Sequence, residues 1–230
     1  MHGKLGIRLS GTGVLGVVSA SGVALVCYFI LSFLAAVEDL PGDRTMRDLH
    51  DAAPVSVSGL QAGLRSRENG NQWALSPRRN LDIGVLSLEL ARRGSVGQRE
   101  QSANLRAARD GFTAALRATP LSAFAWNGLT FTETALGAPR ERVEQLFQMS
   151  IINAPVEERL GIPRVAFGLR NENWLTHETQ NLLRRQIRLA ASITPDDLVT
   201  LLDHINRRDQ IADYLSSIGG HDELVHKLQK

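Results

Sequence analysis

From Leu9 to Val37 the chain runs for 29 residues without a single charge. Its most apolar stretch, VLGVVSASGVALVCYFILSFLAAV, covers the 24 residues from Val14 to Val37. As an α-helix that stretch is about 36 Å long, enough to cross a hydrocarbon core of about 30 Å with some tilt. It carries no polar stripe at a 3.6-residue period, so it does not read as a helix lying on a membrane surface. A cleaved signal peptide fits poorly. Such peptides have shorter apolar regions, roughly 7–15 residues, and end on a small-x-small site. Here the only near match, Leu34-Ala35-Ala36, opens on a large residue. The sequence therefore predicts an uncleaved transmembrane helix over residues 13–37.

The flanks predict its direction. Lys4 and Arg8 precede the span, whereas Glu38, Asp39 and Asp43 follow it, with Arg44 and Arg47 further on. This bias keeps residues 1–12 as a cytoplasmic stub and exports the remainder. In a bacterium the reading is a single-pass inner-membrane protein with its C-terminal domain in the periplasm. The single cysteine, Cys27, lies inside the apolar run, so no exported thiol can mispair in that oxidising compartment. Thr12, Gly16, Ala20 and Ala24 recur every four residues and form a candidate packing face for another membrane helix. Gly11-Thr12-Gly13-Val14-Leu15-Gly16 also fits a dinucleotide-binding fingerprint, with Glu38 and Asp39 downstream. That fingerprint needs a second parallel strand before its acid, and the unbroken apolar run leaves no place for one.

Composition adds little beyond this: 43% hydrophobic and 22% charged residues are ordinary globular usage. The formal charge of +2 comes from Lys4 and Arg8, so everything from residue 38 onward is neutral. Neutrality and export both argue against a nucleic-acid partner. Residues 38–75 hold Pro41-Gly42, Pro54, Gly59, Gly63 and Asn69-Gly70-Asn71. This texture reads as a juxtamembrane linker with short helices near 44–51 and 55–67, broken at the Asn-Gly-Asn cluster. From Ser76 the apolar periodicity becomes helical, with helices over about 77–92, 98–118, 121–136 and from 139. Further helices follow over 156–169, kinked or broken at Pro163, and over 174–192, from 195, and over 209–218. No hairpin signal appears. The fold class is all-α: one N-terminal transmembrane helix, a helical domain over 76–218, and a tail over 219–230 with room for a short helix.

Within the helical domain three segments end on a proline, at 120, 155 and 195. Ala125-Trp126-x-x-Leu129 follows the first, and Gly137 stands at the next turn. On these residues the chain resembles the tetratricopeptide (TPR) family, best over 121–155, where the repeat is about 34 residues of paired antiparallel helices. Arg142 departs from the pattern, which has a small residue there. The resemblance implies a stack of helix pairs with Phe112, Trp126, Leu129, Leu146 and Phe147 in its core. The layout, with Arg117-x-x-Pro120-x-x-Ala123-x-Ala125-Trp126 and Gln186-Ile187-Arg188, is also similar to single-pass proteins of bacterial exopolysaccharide synthesis and secretion loci. That likeness implies an exported TPR-like scaffold gripping a protein partner.

The chemistry of the side chains supports no catalytic, cofactor or metal assignment. His177-Glu178 begins like a zincin helix, but Asn181 stands where the second histidine is needed. Asp203-His204 has no recognisable nucleophile to serve, and His221 and His226 are placed in a solvated tail. Glu157-Glu158 and Asp196-Asp197 sit at helix starts, where the dipole accounts for them. Arginines outnumber lysines 23 to 3, and Arg170, Arg184, Arg185 and Arg188 form a candidate face for a partner or an anion. The expected function is that of a non-enzymatic, membrane-anchored adaptor with partners in the envelope and the bilayer, exopolysaccharide assembly being one setting and polysaccharide a further ligand. Two alternatives remain: a membrane-anchored enzyme acting on glycan or peptidoglycan, and a cell-division or cytochrome-maturation adaptor.

Overall fold

A computed structural model describes residues 11–93 and 97–229, with side chains from residue 22. Among the described residues every regular element is helical. The helices are α1 (Gly11–His50), α2 (Val57–Trp73), α3 (Pro77–Arg92), α4 (Gln98–Ala118), α5 (Ala123–Ala135) and α6 (Arg140–Asn153). They continue with α7 (Glu158–Asn171), α8 (His177–Ile193), α9 (Pro195–Ile205), α10 (Arg208–Ile218) and α11 (Asp222–Leu228). A 3₁₀ turn, Glu172–Trp174, joins α7 to α8. The chain divides into two compact units, Met1–Arg79 and Asn80–Lys230.

In the first unit α1 passes through Pro41 and continues to His50, so residues 38–50 extend the apolar helix where a linker was expected. From Gly22 to His50 it is long and apolar enough to cross a membrane. Proline removes one backbone donor and opens the helical ladder. The opening is filled from α2: the Gly42 amide donates to Ser66 Oγ at 3.1 Å, and the Ser66 hydroxyl donates to the Glu38 carbonyl. A side chain inserted into the ladder in this way is a recognised cause of helix bending. Next to it the Arg67 guanidinium, with 2% of its side chain exposed, contacts Asp39 at 2.9 Å and Asp43 at 2.7 Å. Arg79 binds the same Asp39 carboxylate through Nε at 2.8 and 2.9 Å.

The glycines here serve contact. A Cβ on Gly63 would lie 3.0 Å from the Thr45 side chain, and one on Gly70 would lie 3.0 Å from Asp39 Oδ1. α2 runs unbroken through Asn69-Gly70-Asn71 to Trp73, and the break expected there is absent. The cluster that looked like a turn is the face on which α2 meets α1.

In the second unit successive helices pack side by side, α4 on α5, α5 on α6 and α7 on α8. One core cluster gathers Ala108, Phe112, Ala115, Leu116, Ala125, Leu129 and Leu146. A larger one runs from Val143, Phe147 and Phe167 through Leu183 and Leu198 to Leu228. The neighbours Leu146 and Phe147 feed different clusters, so α6 ties the two together. Phe112 sits at a tight junction. A Cβ on Gly84 would fall 2.6 Å from its ring, one on Gly128 would fall 2.3 Å from it, and one on Gly111 would fall 2.7 Å from the Gly84 backbone nitrogen.

Phe112, Leu129, Leu146 and Phe147 are buried, but Trp126 is only partly so; its indole N–H donates to the Pro120 carbonyl at 2.8 Å. The ring therefore clips the α4–α5 turn to the edge of the first cluster. α7 continues through Pro163 without a break, since the loss of one internal rung is outweighed by packing on α8. The terminal segment holds the short helix α11, on which His226 is exposed. Leu224 and Leu228 of α11 are buried in the larger cluster, and His221 is half-buried.

Candidate functional site

Helix ends in a stacked bundle leave grooves between neighbours, and the second unit has one of about 540 Å³. Its apolar floor includes Leu88 of α3, Leu105 of α4, and Phe131 and Leu136 at the end of α5. Its polar lining comprises Arg92 from the last turn of α3, Gln98, Gln101, Ser102 and Arg106 from the first half of α4, and Arg170 from the last turn of α7. Three arginines line this groove, and among the described residues no acidic residue lines it. Arg92 is held by Glu89 at 3.2 Å, and Gln101 Nε2 donates to the Ala91 carbonyl at 3.3 Å. Arg106 and Arg170 are exposed and make no ion pair among the described residues. Arginine forks over an apolar floor suit a ligand that carries carboxylates beside apolar groups.

Arg170 belongs to this groove. Arg184, Arg185 and Arg188 are exposed on α8, and Arg184 lines a separate cavity of about 130 Å³ with Glu172 and Tyr214. Arg184 Nη1 donates to Asn181 Oδ1 at 3.2 Å. The groove's other cations, Arg92 and Arg106, escaped the sequence reading because each looks like an ordinary solvated helix position. Only the convergence of three helices distinguishes them. Thr12, Gly16 and Ala20 have side chains outside the described residues, and Ala24 is exposed on α1.

A third concavity, about 590 Å³, lies between the start of α9 and α11 and carries Asp196, Asp222 and Glu223. All three carboxylates are exposed, Asp196 is paired with Lys227, and each stands in the first turn of its helix. Capping accounts for them. Asp203 is gripped by Arg208 rather than turned to His204, and the Arg208 hydrogen bond holds its carboxyl below the usual range. Among the described residues no three of His, Cys, Asp and Glu come together to hold a metal ion.

Two buried polar residues join α6 to α7 and α8. Arg164 of α7 is fully buried and caps the end of α6. Its Nε donates to Ser150 Oγ at 3.0 Å, and Nη1 donates to the Ala154 carbonyl at 2.8 Å and to Gln186 Oε1 at 3.2 Å. The last carbonyls of a helix lack internal partners, and a cation is favoured there. Burial pushes the Arg164 pKa down to about 10, so it stays charged at neutral pH. Gln186, the first residue of the run Gln186-Ile187-Arg188, holds the guanidinium and donates to the Pro155 carbonyl at 2.8 Å. Glu144 of α6 receives the Thr176 amide at 2.7 Å and the Thr176 hydroxyl at 2.6 Å, fixing the start of α8. Burial raises its pKa, but the hydrogen bonds from Thr176 and Thr179 outweigh that effect and leave it lowered.

Compared with family models, with curated proteins and with solved structures, the chain matches none, and its site is read from its own geometry.

Proposed function

We propose that this chain is a single-pass, membrane-anchored adaptor without enzymatic activity, whose helical domain binds an acidic segment of a protein partner. The groove lined by Arg92, Arg106 and Arg170 carries the proposal: three cations from three helices over an apolar floor, with no acid among the lining residues. The side-by-side packing of successive helices supports a TPR-like reading, in which such surfaces hold peptides or helices. α1 supports the anchor, and confinement beside other membrane components raises the local concentration of a weak binder. The flanking charges favour a cytoplasmic N-terminus and a periplasmic domain. A bacterial envelope assembly such as exopolysaccharide synthesis or export is the setting that the layout favours.

The test places a photo-crosslinking residue at Ser102, within the groove, in intact cells. The expected result is one envelope protein whose crosslinked peptide is rich in Asp and Glu. Capture should fall at least tenfold with Arg106→Glu plus Arg170→Glu, while stability stays within about 0.5 kcal/mol, as for other exposed substitutions. Capture that is indifferent to charge reversal, or a crosslinked peptide without acids, would overturn the reading. A C-terminal alkaline phosphatase fusion, active only when exported, checks the orientation.

A further inference from the structure

We propose that the end of α2 and the turn after it, Trp73 to Leu75, form a second contact with the bilayer, seated at the lipid–water interface beside α1. The inference rests on reading α1 as a membrane span and adds a second element to that anchor.

The register between α1 and α2 sets the geometry. Gly63 meets Thr45, Ser66 meets Gly42 and Glu38, and Gly70 meets Asp39. As positions on α2 rise, their partners on α1 fall, so the helices are antiparallel and residue 73 stands near the level of residue 35. Burial agrees. Ala35 has no exposed surface, although Val23 to Ile30, Phe33 and Val37 are all exposed. α2 therefore reaches past the first acid, Glu38, and alongside the last turn of the apolar run. At about 1.5 Å per residue this is roughly 5 Å on the membrane side of Glu38.

The side chains at that level suit lipid. Leu75 is 85% exposed and Trp73 is 42% exposed, and on α1 Leu40 is 65% and Val37 49% exposed. At an interface, Trp is the residue most at home, with an apolar body among chains and an N–H among headgroups. Arg78, its side chain 78% exposed, lies 3.9 Å from Asp43 Oδ1, on the water side of this level. The pairs of buried Arg67 and Arg79 with half-buried Asp39 hold α2 at this depth, so the hairpin fixes both the depth and the rotation of α1.

The test uses the full-length protein with Cys27→Ser, reconstituted in phosphatidylcholine–phosphatidylglycerol vesicles. Single nitroxide labels are placed by Leu75→Cys, Val57→Cys or Ala24→Cys. Val57 lies at the far end of α2 and is exposed, and Ala24 lies within the span. Collision with oxygen relative to a water-soluble nickel chelate reports depth. The expected order is Ala24 deepest, Leu75 at headgroup level with a ratio several-fold above that of Val57, and Val57 in water. A Leu75 label matching Val57 while Ala24 remains in lipid would overturn this inference and leave the span intact. An Ala24 label in water would overturn the span reading and this inference together. Dipolar broadening at Leu75 would assign this surface to a second copy of the chain and overturn the lipid contact.

Discussion

Replacing Gly128 by alanine sets two known effects against each other. Within a helix, alanine is favoured over glycine by about 1 kcal/mol, because the glycine chain loses more freedom on folding. At Gly128 the added methyl would sit 2.3, 2.5 and 2.7 Å from three atoms of the Phe112 ring, where ordinary contact begins at 3.4 Å. An overlap of this size requires the ring to move. Phe112 has 1% of its surface exposed, and on another side the backbone of Gly84 leaves room for no Cβ. Overpacking of a core typically costs about 1–3 kcal/mol. With a blocked ring the upper end applies, and the net loss should be about 2 kcal/mol after the propensity gain. Gly161 in α7 is the matched control, since a Cβ there meets nothing within 4 Å; Gly161→Ala should stabilise by about 0.5–1 kcal/mol. The assay is urea unfolding of the full-length protein in detergent micelles, followed by far-ultraviolet circular dichroism. For a slope of about 2 kcal/mol per molar, the midpoint should fall by about 1 M for Gly128→Ala and rise by a few tenths for Gly161→Ala. Adding Phe112→Leu to Gly128→Ala should recover more than either single change predicts. If both alanines stabilise alike, the ring is free to move and the argument for a locked three-helix junction fails.

Arg67→Ala should destabilise the α1–α2 hairpin by about 1.5–3 kcal/mol, the usual worth of a hydrogen bond to a charged group, because Asp39 keeps Arg79 and Asp43 is 42% exposed. It should appear as faster amide exchange along α2 with no loss of membrane association. Glu144 makes stability depend on pH. Its folded pKa is lowered, so its contribution is present above the unfolded value, about 4.3, and is lost as pH falls through the folded value. Glu144→Gln should therefore narrow the stability gap from wild type as the medium is acidified from pH 6 to pH 3. A gap constant across that range would refute the role given to the carboxylate.

Much of the fold was legible in the order of residues alone. A helix is a local object, and its apolar period, caps and stops lie within a few residues of one another. The uncharged run predicted α1, Ser76-Pro77 the start of α3, and Pro195-Asp196-Asp197 the start of α9. The same locality misled where one residue type has two uses. Glycines 63 and 70 and Pro41 read as a linker, because sequence does not distinguish a glycine that frees the chain from one that admits a neighbour. Only the approach of α2, with Ser66 filling the ladder that Pro41 opens, turned that stretch into paired helices. The groove followed the same rule. Arg92, Arg106 and Arg170 are separated by up to 78 residues and meet because the apolar faces of α3, α4, α5 and α7 pack together. Periodicity decides which face a helix buries; which polar side chains are then brought side by side depends on the partner it is buried against.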